Sequence, residues 1–274
     1  DEQHAKRCAG FMMAGMESIA TARGRIGYIE AGRGDATPII FLHGVGSDKS
    51  VWRPQLEHFG KSRRAVGFDY AGYGESEYVN GATRTDFAAA ILAAMDALGI
   101  ETAHVCGLSL GGVIGMAMQA ASPERCTSLI IADSFAVHPH GQGIHDRSVA
   151  ASQAMTMREL AKARTGVLLG SAASEQLRTE VIDTMAAIDP VAYRIGAAAV
   201  WLADQREIAT AIDVPTLILA GDEDGITPPS LSEELKHLIP GSQLQIIARA
   251  GHLANVEQPA AFNAAIESFL SRQR

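Results

Sequence analysis

The sequence predicts an α/β fold, with a mostly parallel eight-stranded sheet flanked by helices and a helical cap inserted after the sixth strand. Short apolar runs, typical of strands covered on both faces, alternate with longer segments of helical period. The alternation stops after residue 132, and some seventy residues of helical pattern follow before it resumes. Because polar residues follow several of the runs, a functional site is expected at the carboxyl edge of the sheet.

The predicted strands begin with an antiparallel hairpin between Ser18 and Ala31 that turns at Arg23-Gly24. Each later strand is a short apolar run, and these runs lie at residues 38–42, 65–68, 103–108, 129–132, 216–220 and 243–247. Strands separated by helices need crossover connections, which are right-handed in nearly all proteins and join parallel strands. The sheet is therefore expected to be parallel beyond the hairpin.

Apolar residues at helical spacing predict the helices between these strands. Outside the interruption they lie at residues 52–59, 85–98, 230–238 and 259–270, and within it at Ala151–Ala163, 174–187 and 191–203. No flexible linker borders the interruption. We therefore expect three parts, which are an N-terminal extension (residues 1–17), a core (residues 18–133 and 211–274) and a cap (residues 134–210).

Composition and charge exclude several classes of function. The 274 residues carry 23 Lys and Arg against 31 Asp and Glu, a net charge of -8, and basic residues never cluster beyond pairs, so no nucleic-acid partner is expected. No apolar stretch reaches about 18 residues, so the protein is predicted to be cytoplasmic with no membrane partner. The three cysteines, an odd number without Cys-x-x-Cys spacing, predict free thiols.

The segment Gly107-Leu108-Ser109-Leu110-Gly111 matches the pattern G-x-S-x-G at the point where a predicted strand ends and a helix begins. A sharp turn at such a point holds the serine above the sheet in a strained backbone conformation. The flanking glycines allow the turn because they carry no Cβ atom. The pattern predicts that Ser109 is a nucleophile.

A serine hydroxyl needs a base within hydrogen-bond reach, and among nine histidines His252 has the most suitable position. It follows the last predicted strand in Arg249-Ala250-Gly251-His252, at the same edge of the sheet as Ser109. His43 also follows a strand, but it precedes Gly44-Val45-Gly46, and we expect it to support that loop.

The base needs a carboxylate to hold its tautomer, and three acids follow the seventh predicted strand in Gly221-Asp222-Glu223-Asp224-Gly225. Asp224 is predicted to be this acid. Asp222 is expected to bond backbone amides in the turn, and Glu223 to face solvent. Asp133, at the end of the sixth strand, is a competing candidate, because the acid can also be delivered from that strand end.

Negative charge that develops on a tetrahedral intermediate needs backbone N–H donors aimed at it in advance. Leu110, the residue after the nucleophile, is predicted to supply one donor, and Val45 in the turn His43-Gly44-Val45-Gly46 to supply the other. Since backbone atoms form this oxyanion hole, the side chains of Leu110 and Val45 are free to line a pocket.

These motifs, in this order along the chain, resemble the α/β-hydrolase superfamily over residues 18–272. The matching segments are residues 43–46, 69–76, 107–112, 221–228 and 251–252. Within the superfamily, the cap and the stretch Ile212-Asp213-Val214-Pro215 are most similar to 3-oxoadipate enol-lactonase and its esterase relatives. The resemblance implies a serine esterase or lactonase in which water completes the second half-reaction without a cofactor. It also makes Asp69 part of a scaffold turn.

The expected activity is hydrolysis of a small carboxylic ester or lactone through an acyl-serine intermediate. Dehalogenases and epoxide hydrolases of this superfamily place Asp where Ser109 stands. A carbon-carbon bond hydrolase of a ring-cleavage diketone would use the same three residues, but Val45-Gly46-Ser47-Asp48 departs from the oxyanion loop of those enzymes. A ligand sensor that retains the triad is a third interpretation, and steady ester turnover distinguishes it from an enzyme.

Substrate specificity is expected to lie in the cap. Trp201 is a candidate wall of the substrate pocket, together with Ile226 in the loop of the acid. An acidic substrate would need an arginine there, and the candidates are Arg147, Arg158, Arg164 and Arg194. His138-Pro139-His140 has no carboxylate or cysteine at ligand spacing, so no metal site is predicted, and a solvent-exposed loop is expected.

Overall fold

A computed structural model describes residues 17–273 and shows an eight-stranded sheet in this part of the chain. The predicted N-terminal extension, residues 1–17, lies outside the described residues except for Glu17. The strands are β1 (Glu17–Thr21), β2 (Gly24–Ala31), β3 (Ile39–Leu42), β4 (Ala65–Phe68), β5 (Ala103–Leu108), β6 (Cys126–Ala132), β7 (Thr216–Gly221) and β8 (Gln243–Ile247).

The pairing of the strands confirms the predicted sheet. The strands lie side by side in the order β1-β2-β4-β3-β5-β6-β7-β8. β2 is antiparallel to β1 and to β4, and all other neighbouring strands are parallel. The loops that follow β3, β5, β6, β7 and β8 therefore meet at one edge of the sheet.

β3 shows why an apolar run without alternation predicts a central strand. All of its side chains are buried. Ile40 and Leu42 pack into the core on one face of the sheet, while Ile39 and Phe41 pack into a second core on the other face. Successive side chains of a strand point to opposite faces, so helices must cover both.

Outside the interruption, the four helices predicted from periodicity are present with small shifts at their ends. They are α1 (Arg53–Phe59), which follows a 3-10 turn at Lys49–Trp52, α2 (Arg84–Ala97), α9 (Pro229–Leu238) and α11 (Pro259–Ser271). Helix α3 (Leu110–Ala121) begins directly after Ser109, as its motif predicted, whereas the short helix α10 (Ala254–Glu257) was not predicted. Between β6 and β7 lie α4 (Gly141–Ala154), α5 (Met157–Leu168), α6 (Glu175–Ala186), α7 (Pro190–Trp201) and α8 (Arg206–Ala211). We call α4 to α8, residues 141–211, the helical insertion.

One predicted helix of the insertion was wrong. The segment Ala151–Ala163 is not one helix, because α4 ends at Ala154 and α5 begins at Met157. Between them, the Thr156 hydroxyl accepts a hydrogen bond from the Glu159 N–H, and the Glu159 carboxylate accepts one from the Thr156 N–H. This capping box starts a new helix and interrupts the period.

Two further observations concern expectations from composition. Within residues 17–273 no helix is long and apolar enough to cross a lipid bilayer. Cys106 and Cys126 are buried free thiols, whereas Cys8 lies outside the described residues. Burial raises the pKa of the Cys106 thiol well above its ordinary value, so this thiol stays protonated and unreactive.

Candidate active site

Ser109 stands at the turn between β5 and α3, as predicted. Its backbone has φ 55° and ψ -113°, a region that residues with a Cβ atom rarely adopt. The Ser109 N–H donates to the Ala132 carbonyl at 2.9 Å, and the Ser134 hydroxyl donates to the Ser109 carbonyl at 2.8 Å. Gly111 is required beside it, because a Cβ there would lie 2.0 Å from the Leu42 carbonyl oxygen. The surrounding structure therefore imposes the strain, as at many reactive sites.

Ser109 lines a small cavity of about 20 Å³ whose wall also includes His252. The Ser109 Oγ atom is buried and makes no hydrogen bond to any residue between 17 and 273. The serine and the histidine thus meet at one cavity without a hydrogen bond between them. Such bonds are often long until a substrate binds. The other wall residues are Gly44, Val45, Gly46, Ser47, Leu108, Arg164, Leu168, Val181, Trp201 and Leu253.

The predicted base and acid are brought together by two neighbouring loops. His252, after β8, has its Nδ1 atom 2.8 Å from Oδ2 of Asp224, after β7. An ionised carboxylate only accepts hydrogen bonds, so His252 donates from Nδ1, and Nε2 of the neutral ring carries no proton. Nε2 is therefore the nitrogen able to take a proton from a hydroxyl group.

Backbone and hydroxyl donors hold the Asp224 carboxylate. The Thr227 hydroxyl donates to Oδ2 at 2.6 Å and lies 3.1 Å from Nδ1 of His252. Oδ1 accepts from the backbone N–H groups of Ile226 and Thr227 at 2.7 and 2.9 Å. Burial by itself would raise the pKa of Asp224, but the neighbouring His252 and these hydrogen bonds lower it to about 2. Asp224 is therefore ionised at neutral pH.

Asp133, the competing acid, lies at the end of β6 and makes no hydrogen bond to His252 among the described contacts. Its Oδ1 atom accepts from the Gly221 N–H at 2.8 Å, while Oδ2 is buried without a hydrogen-bond partner in residues 17–273. Burial, with the neighbouring Asp224 carboxylate as a second cause, raises the pKa of Asp133 well above its ordinary value. Asp133 therefore favours its protonated form.

The other two acids of the loop after β7 bond elsewhere. Asp222 accepts from a backbone N–H, but this is the Ala250 N–H at 3.3 Å in the loop after β8, and not an amide of its own turn as expected from the sequence. Glu223 is exposed, as expected, and its carboxylate accepts from the N–H and the hydroxyl of Ser171. Because Ser171 belongs to the helical insertion, this contact joins the insertion to the loop of Asp224.

The two predicted oxyanion donors differ in where their side chains lie. Both side chains were expected to be free to line a pocket, and Val45 lines the cavity of Ser109, whereas the Leu110 side chain is packed in the core. The sharp turn at Ser109 directs the next side chain into the sheet-helix interface. Neither the Val45 N–H nor the Leu110 N–H donates to another described residue. The Leu110 N–H also lies at the N-terminus of α3, where the helix dipole favours negative charge.

The structure brings one of the two predicted substrate residues to the cavity. Trp201 lines it and stacks on Phe135, with ring centroids 5.7 Å apart. Ile226 instead lines a larger groove of about 790 Å³ beside α4 and α5. Its backbone is held on both sides, since its N–H donates to Asp224 and its carbonyl accepts from His138. Ile226 is therefore not part of the wall around Ser109.

The histidines before α4 do not form a metal site. The expectation that His138 is solvent-exposed was wrong, because its Nε2 atom lies 3.1 Å from the Ile226 carbonyl oxygen and its ring packs edge-on against Trp201. His140 is exposed. No group of three or more His, Cys, Asp or Glu residues in the described chain is arranged to hold a metal ion.

Sequence reasoning missed two features around the cavity. The first is Thr227, for which the signal was Asp-x-x-Thr in a turn, since side chains there commonly bond one another and the nearby backbone. The second is a pair of wider grooves that adjoin the cavity. The groove of about 790 Å³ shares Arg164 with it, and a groove of about 420 Å³ shares Val181 and Leu253. The packing of helices decides which side chains face a groove, and periodicity alone does not give this.

Known proteins with a similar sequence or fold include enzymes that act on esters and lactones. The family described as alpha/beta hydrolase fold matches residues 37–259. The chain is 30% identical over 230 residues to 3-oxoadipate enol-lactonase 1 of Acinetobacter baylyi, covering 83% of this chain and 86% of that protein. It is 27% identical to a carboxylesterase of Bacillus subtilis, covering 92% and 86%. The structure of the enol-lactonase from Burkholderia xenovorans LB400 has a TM-score of 0.87 at 26% identity, covering 93% of this chain and 100% of that chain.

Proposed function

The chain belongs to the α/β-hydrolase fold family, and from that premise we propose that it hydrolyses small carboxylic esters or lactones through an acyl intermediate on Ser109. One observation carries the proposal. A serine in a strained turn shares a cavity with a histidine whose Nδ1 atom is bonded to a buried carboxylate. The relatives named as an enol-lactonase and a carboxylesterase support the reaction class.

In the first half-reaction, Ser109 Oγ attacks the acyl carbon while His252 Nε2 takes the hydroxyl proton. Asp224 holds the His252 ring in the required tautomer and stabilises its positive charge. The carbonyl oxygen of the substrate becomes negative, and the N–H groups of Val45 and Leu110 stabilise it. When the tetrahedral intermediate collapses, the leaving alcohol takes the proton from His252, and the acyl group stays on Ser109.

In the second half-reaction, water replaces the leaving alcohol. Its oxygen attacks the acyl carbon while His252 Nε2 takes one of its protons. Collapse of the second tetrahedral intermediate returns that proton to Ser109 Oγ and releases the carboxylic acid. With a lactone, the alcohol and the acid remain in one molecule, so ring opening is the net result.

The direct test is labelling with a fluorophosphonate, which reacts with an activated serine. We expect mass spectrometry to place the label on Ser109, with loss of p-nitrophenyl acetate hydrolysis, and heat-denatured protein to remain unlabelled. Ser109→Ala is expected to abolish both signals. His252→Ala is expected to lower kcat by on the order of 10³-fold to 10⁶-fold with little change in melting temperature. Labelling of another residue, or full activity of Ser109→Ala, would exclude the serine mechanism.

The time course of p-nitrophenyl acetate hydrolysis distinguishes an enzyme from a ligand sensor. An enzyme releases p-nitrophenol steadily over many turnovers, as we expect here. A sensor that retains the triad would react once per protein molecule and keep the product bound. Single-turnover release with a retained acyl group would therefore contradict the proposal.

We propose further that residues 134–210 act as a cap that selects the substrate. The insertion contributes Arg164, Leu168, Val181 and Trp201 to the wall around Ser109. A cavity of about 20 Å³ has room for about one water molecule, so an acyl group enters only when cap side chains move aside.

Trp201→Ala tests the cap. Removing this ring is expected to favour bulkier acyl groups, changing relative kcat/KM across p-nitrophenyl esters by roughly 1 to 3 kcal/mol, while Ser109 stays reactive to a small probe. An unchanged ranking with a lower melting temperature would make Trp201 a packing residue only.

We propose, from the position of Arg164, that the substrate carries a carboxylate. Of the four candidate arginines, Arg158 is paired with an aspartate at the surface and Arg194 is bonded to a serine hydroxyl. Arg147 lines the groove of about 790 Å³ but not the cavity of Ser109. Arg164 lines the cavity of Ser109, and it bonds the Tyr193 hydroxyl at 3.2 Å but pairs with no carboxylate in the described chain. In a protein of net charge -8, such an arginine beside the nucleophile favours an anionic ligand.

Two p-nitrophenyl esters of similar size test this statement, the butyrate and the half-ester of succinate. Wild-type protein is expected to prefer the anionic ester about 10-fold or more, since a hydrogen bond to a charged group is worth about 1.5 to 3 kcal/mol. Arg164→Gln should remove the preference and keep the butyrate activity, whereas Arg158→Gln should change neither. A preference that survives Arg164→Gln would refute the role of Arg164 while leaving the ester hydrolysis intact.

A further inference from the structure

The loop after β3 is held by ring side chains, and we propose that one of them, Tyr73, is a positioning residue whose place is set by Gly196 in the helical insertion. The proposal rests on the proposed function, because it concerns the Val45 N–H that stabilises the negative charge of the reaction. The insertion then acts on the chemical step as well as on the choice of substrate.

Three consecutive carbonyl groups of this loop each have a ring donor. The Tyr70 hydroxyl donates to the His43 carbonyl at 2.9 Å, and the Tyr73 hydroxyl donates to the Val45 carbonyl at 3.1 Å. Between them, Nδ1 of His43 donates to the Gly44 carbonyl at 2.8 Å, because a carbonyl oxygen only accepts. The His43 ring lies 4.4 Å from the Tyr70 ring and 5.1 Å from the Tyr73 ring, centroid to centroid. The three rings therefore form one buried cluster behind the loop.

These hydrogen bonds fix the direction of the Val45 N–H. A peptide unit is planar and trans, so this N–H points away from the Gly44 carbonyl of the same unit. The Val45 carbonyl belongs to the next unit, which the Tyr73 hydroxyl holds. The peptide units on either side of Val45 therefore cannot rotate without leaving a buried carbonyl unpaired, which is unfavourable.

The Tyr73 hydroxyl is suited to this task. Its side chain is buried, and burial raises the pKa of Tyr73 above its ordinary value, so the hydroxyl keeps its proton and remains a donor. The backbone of its turn is also fixed, since the Tyr73 N–H donates to the Tyr70 carbonyl and the Ser76 N–H to the Tyr73 carbonyl, both at 2.9 Å.

Gly196 brings helix α7 onto this hydroxyl. A Cβ atom at position 196 would lie 2.2 Å from Tyr73 Oη and 3.1 Å from Val45 Cγ2. Any larger residue would displace the hydroxyl that holds the Val45 carbonyl. A glycine inside a helix is unfavourable on its own, so this close contact accounts for its presence. The same helix ends in Trp201, which lines the cavity, so α7 contacts both the substrate space and the loop.

Tyr73→Phe removes the hydroxyl and keeps the ring. We expect kcat for p-nitrophenyl acetate to fall about 5-fold to 50-fold, which is part of the 10²-fold to 10³-fold that loss of a whole oxyanion donor costs. KM is expected to change less than about twofold, because the change acts on the transition state. The rate of fluorophosphonate labelling at Ser109 should fall by a similar factor, since the phosphoryl oxygen uses the same N–H groups.

Gly196→Ala changes the other side of this contact and is expected to lower kcat by a similar factor. The matched control is Gly166→Ala in α5, where an added Cβ meets no atom within 4 Å, and kcat there should stay within about twofold. In the double variant Tyr73→Phe/Gly196→Ala, the added methyl no longer meets Oη. Its kcat is therefore expected to match that of Tyr73→Phe alone, without multiplication of the two losses.

The melting temperature is measured for every variant. If Tyr73→Phe and Gly196→Ala lower it but leave kcat and the labelling rate at wild-type values, their role is structural and the proposal is overturned. If the losses of kcat of the two single variants multiply in the double variant, Gly196 does not act through the Tyr73 hydroxyl, and that part of the proposal is overturned. A failure of the proposed function looks different, because wild-type Ser109 itself would then resist labelling.

Discussion

Asp133 and Asp224 lie at the ends of neighbouring strands, are both buried, and have opposite tendencies to ionise. Asp224 accepts hydrogen bonds from two backbone N–H groups, a threonine hydroxyl and His252, and its pKa is lowered to about 2. Asp133 accepts one from the Gly221 N–H, and burial raises its pKa well above the ordinary value. Similar depth in the protein thus goes with pKa shifts in opposite directions, because the donors around a buried carboxylate decide how well its charge is tolerated.

The difference matters for the proposed reaction. Only an ionised carboxylate stabilises the positive charge that His252 acquires. Two neighbouring carboxylates disfavour each other's ionisation, and the Asp224 charge is the second cause, after burial, of the raised pKa of Asp133. The two acids are therefore expected to respond very differently to the same substitution.

The largest expected effect is that of Asp224→Asn. It removes the charge that orients and stabilises His252, and kcat is expected to fall by on the order of 10⁴-fold. Asp133→Asn is the matched control. Its side-chain oxygen can still accept from the Gly221 N–H, so kcat should stay within about threefold. Steady-state kinetics with p-nitrophenyl acetate checks both, and a severe Asp133→Asn beside a mild Asp224→Asn would show that the acid is misassigned.

The closeness of the two acids could be predicted from the sequence, but their division of roles could not. Both follow apolar strands, and parallel strands that are neighbours end at one edge. Which acid reaches His252 depends on the backbone at each turn. Asp133 has φ 46°, in the left-handed region, and its carboxyl bonds the Gly221 N–H. One sequence carries no signal for such a dihedral angle, so Asp133 stayed a competitor.

The sheet and the helical insertion also differ in how closely they could be predicted from the sequence. Strands of the sheet were predicted closely, because a short apolar run such as Ile39–Leu42, which follows Pro38 and precedes a glycine-rich loop, favours a strand covered on both faces. In the insertion, local capping at Thr156 divided a segment that periodicity joined into one helix. Likewise, the burial of His138 and Leu110 follows from tertiary contacts that no local pattern encodes.

Thr227→Val is expected to have an intermediate effect. The valine keeps the shape of the side chain but removes the hydroxyl that donates to Asp224 Oδ2 at 2.6 Å. A hydrogen bond to a charged group is worth about 1.5 to 3 kcal/mol, and loss of a part of it should lower kcat about 10-fold. Thr216→Val is the control, since its hydroxyl bonds only the Val214 carbonyl at the start of β7. Equal kcat in the two variants would mean that Thr227 does not support Asp224.

The smallest expected effect is on stability, and it depends on pH. In the unfolded chain Asp133 ionises near a pKa of about 3.9. In the folded protein burial raises this pKa, so above about pH 3.9 the unfolded state has released a proton that the folded state still holds. The free energy of unfolding therefore falls as the pH rises through this window. Asn cannot ionise, so Asp133→Asn is expected to gain stability relative to wild type between about pH 4 and the raised pKa of Asp133.

Asp224 makes stability change with pH in the opposite direction. Its contribution to stability is present above the unfolded pKa of about 3.9 and is lost as the pH falls toward its folded pKa of about 2. Urea unfolding of wild type, Asp133→Asn and Asp224→Asn across a range of pH measures both trends. The stability advantage of wild type over Asp224→Asn should grow as the pH rises from about 2 to about 4. Above that range, the free energy of unfolding of wild type should fall relative to that of Asp133→Asn. Parallel curves for wild type and Asp133→Asn would mean that Asp133 titrates like an exposed carboxylate, and the contrast between the two strand ends would then rest on geometry alone.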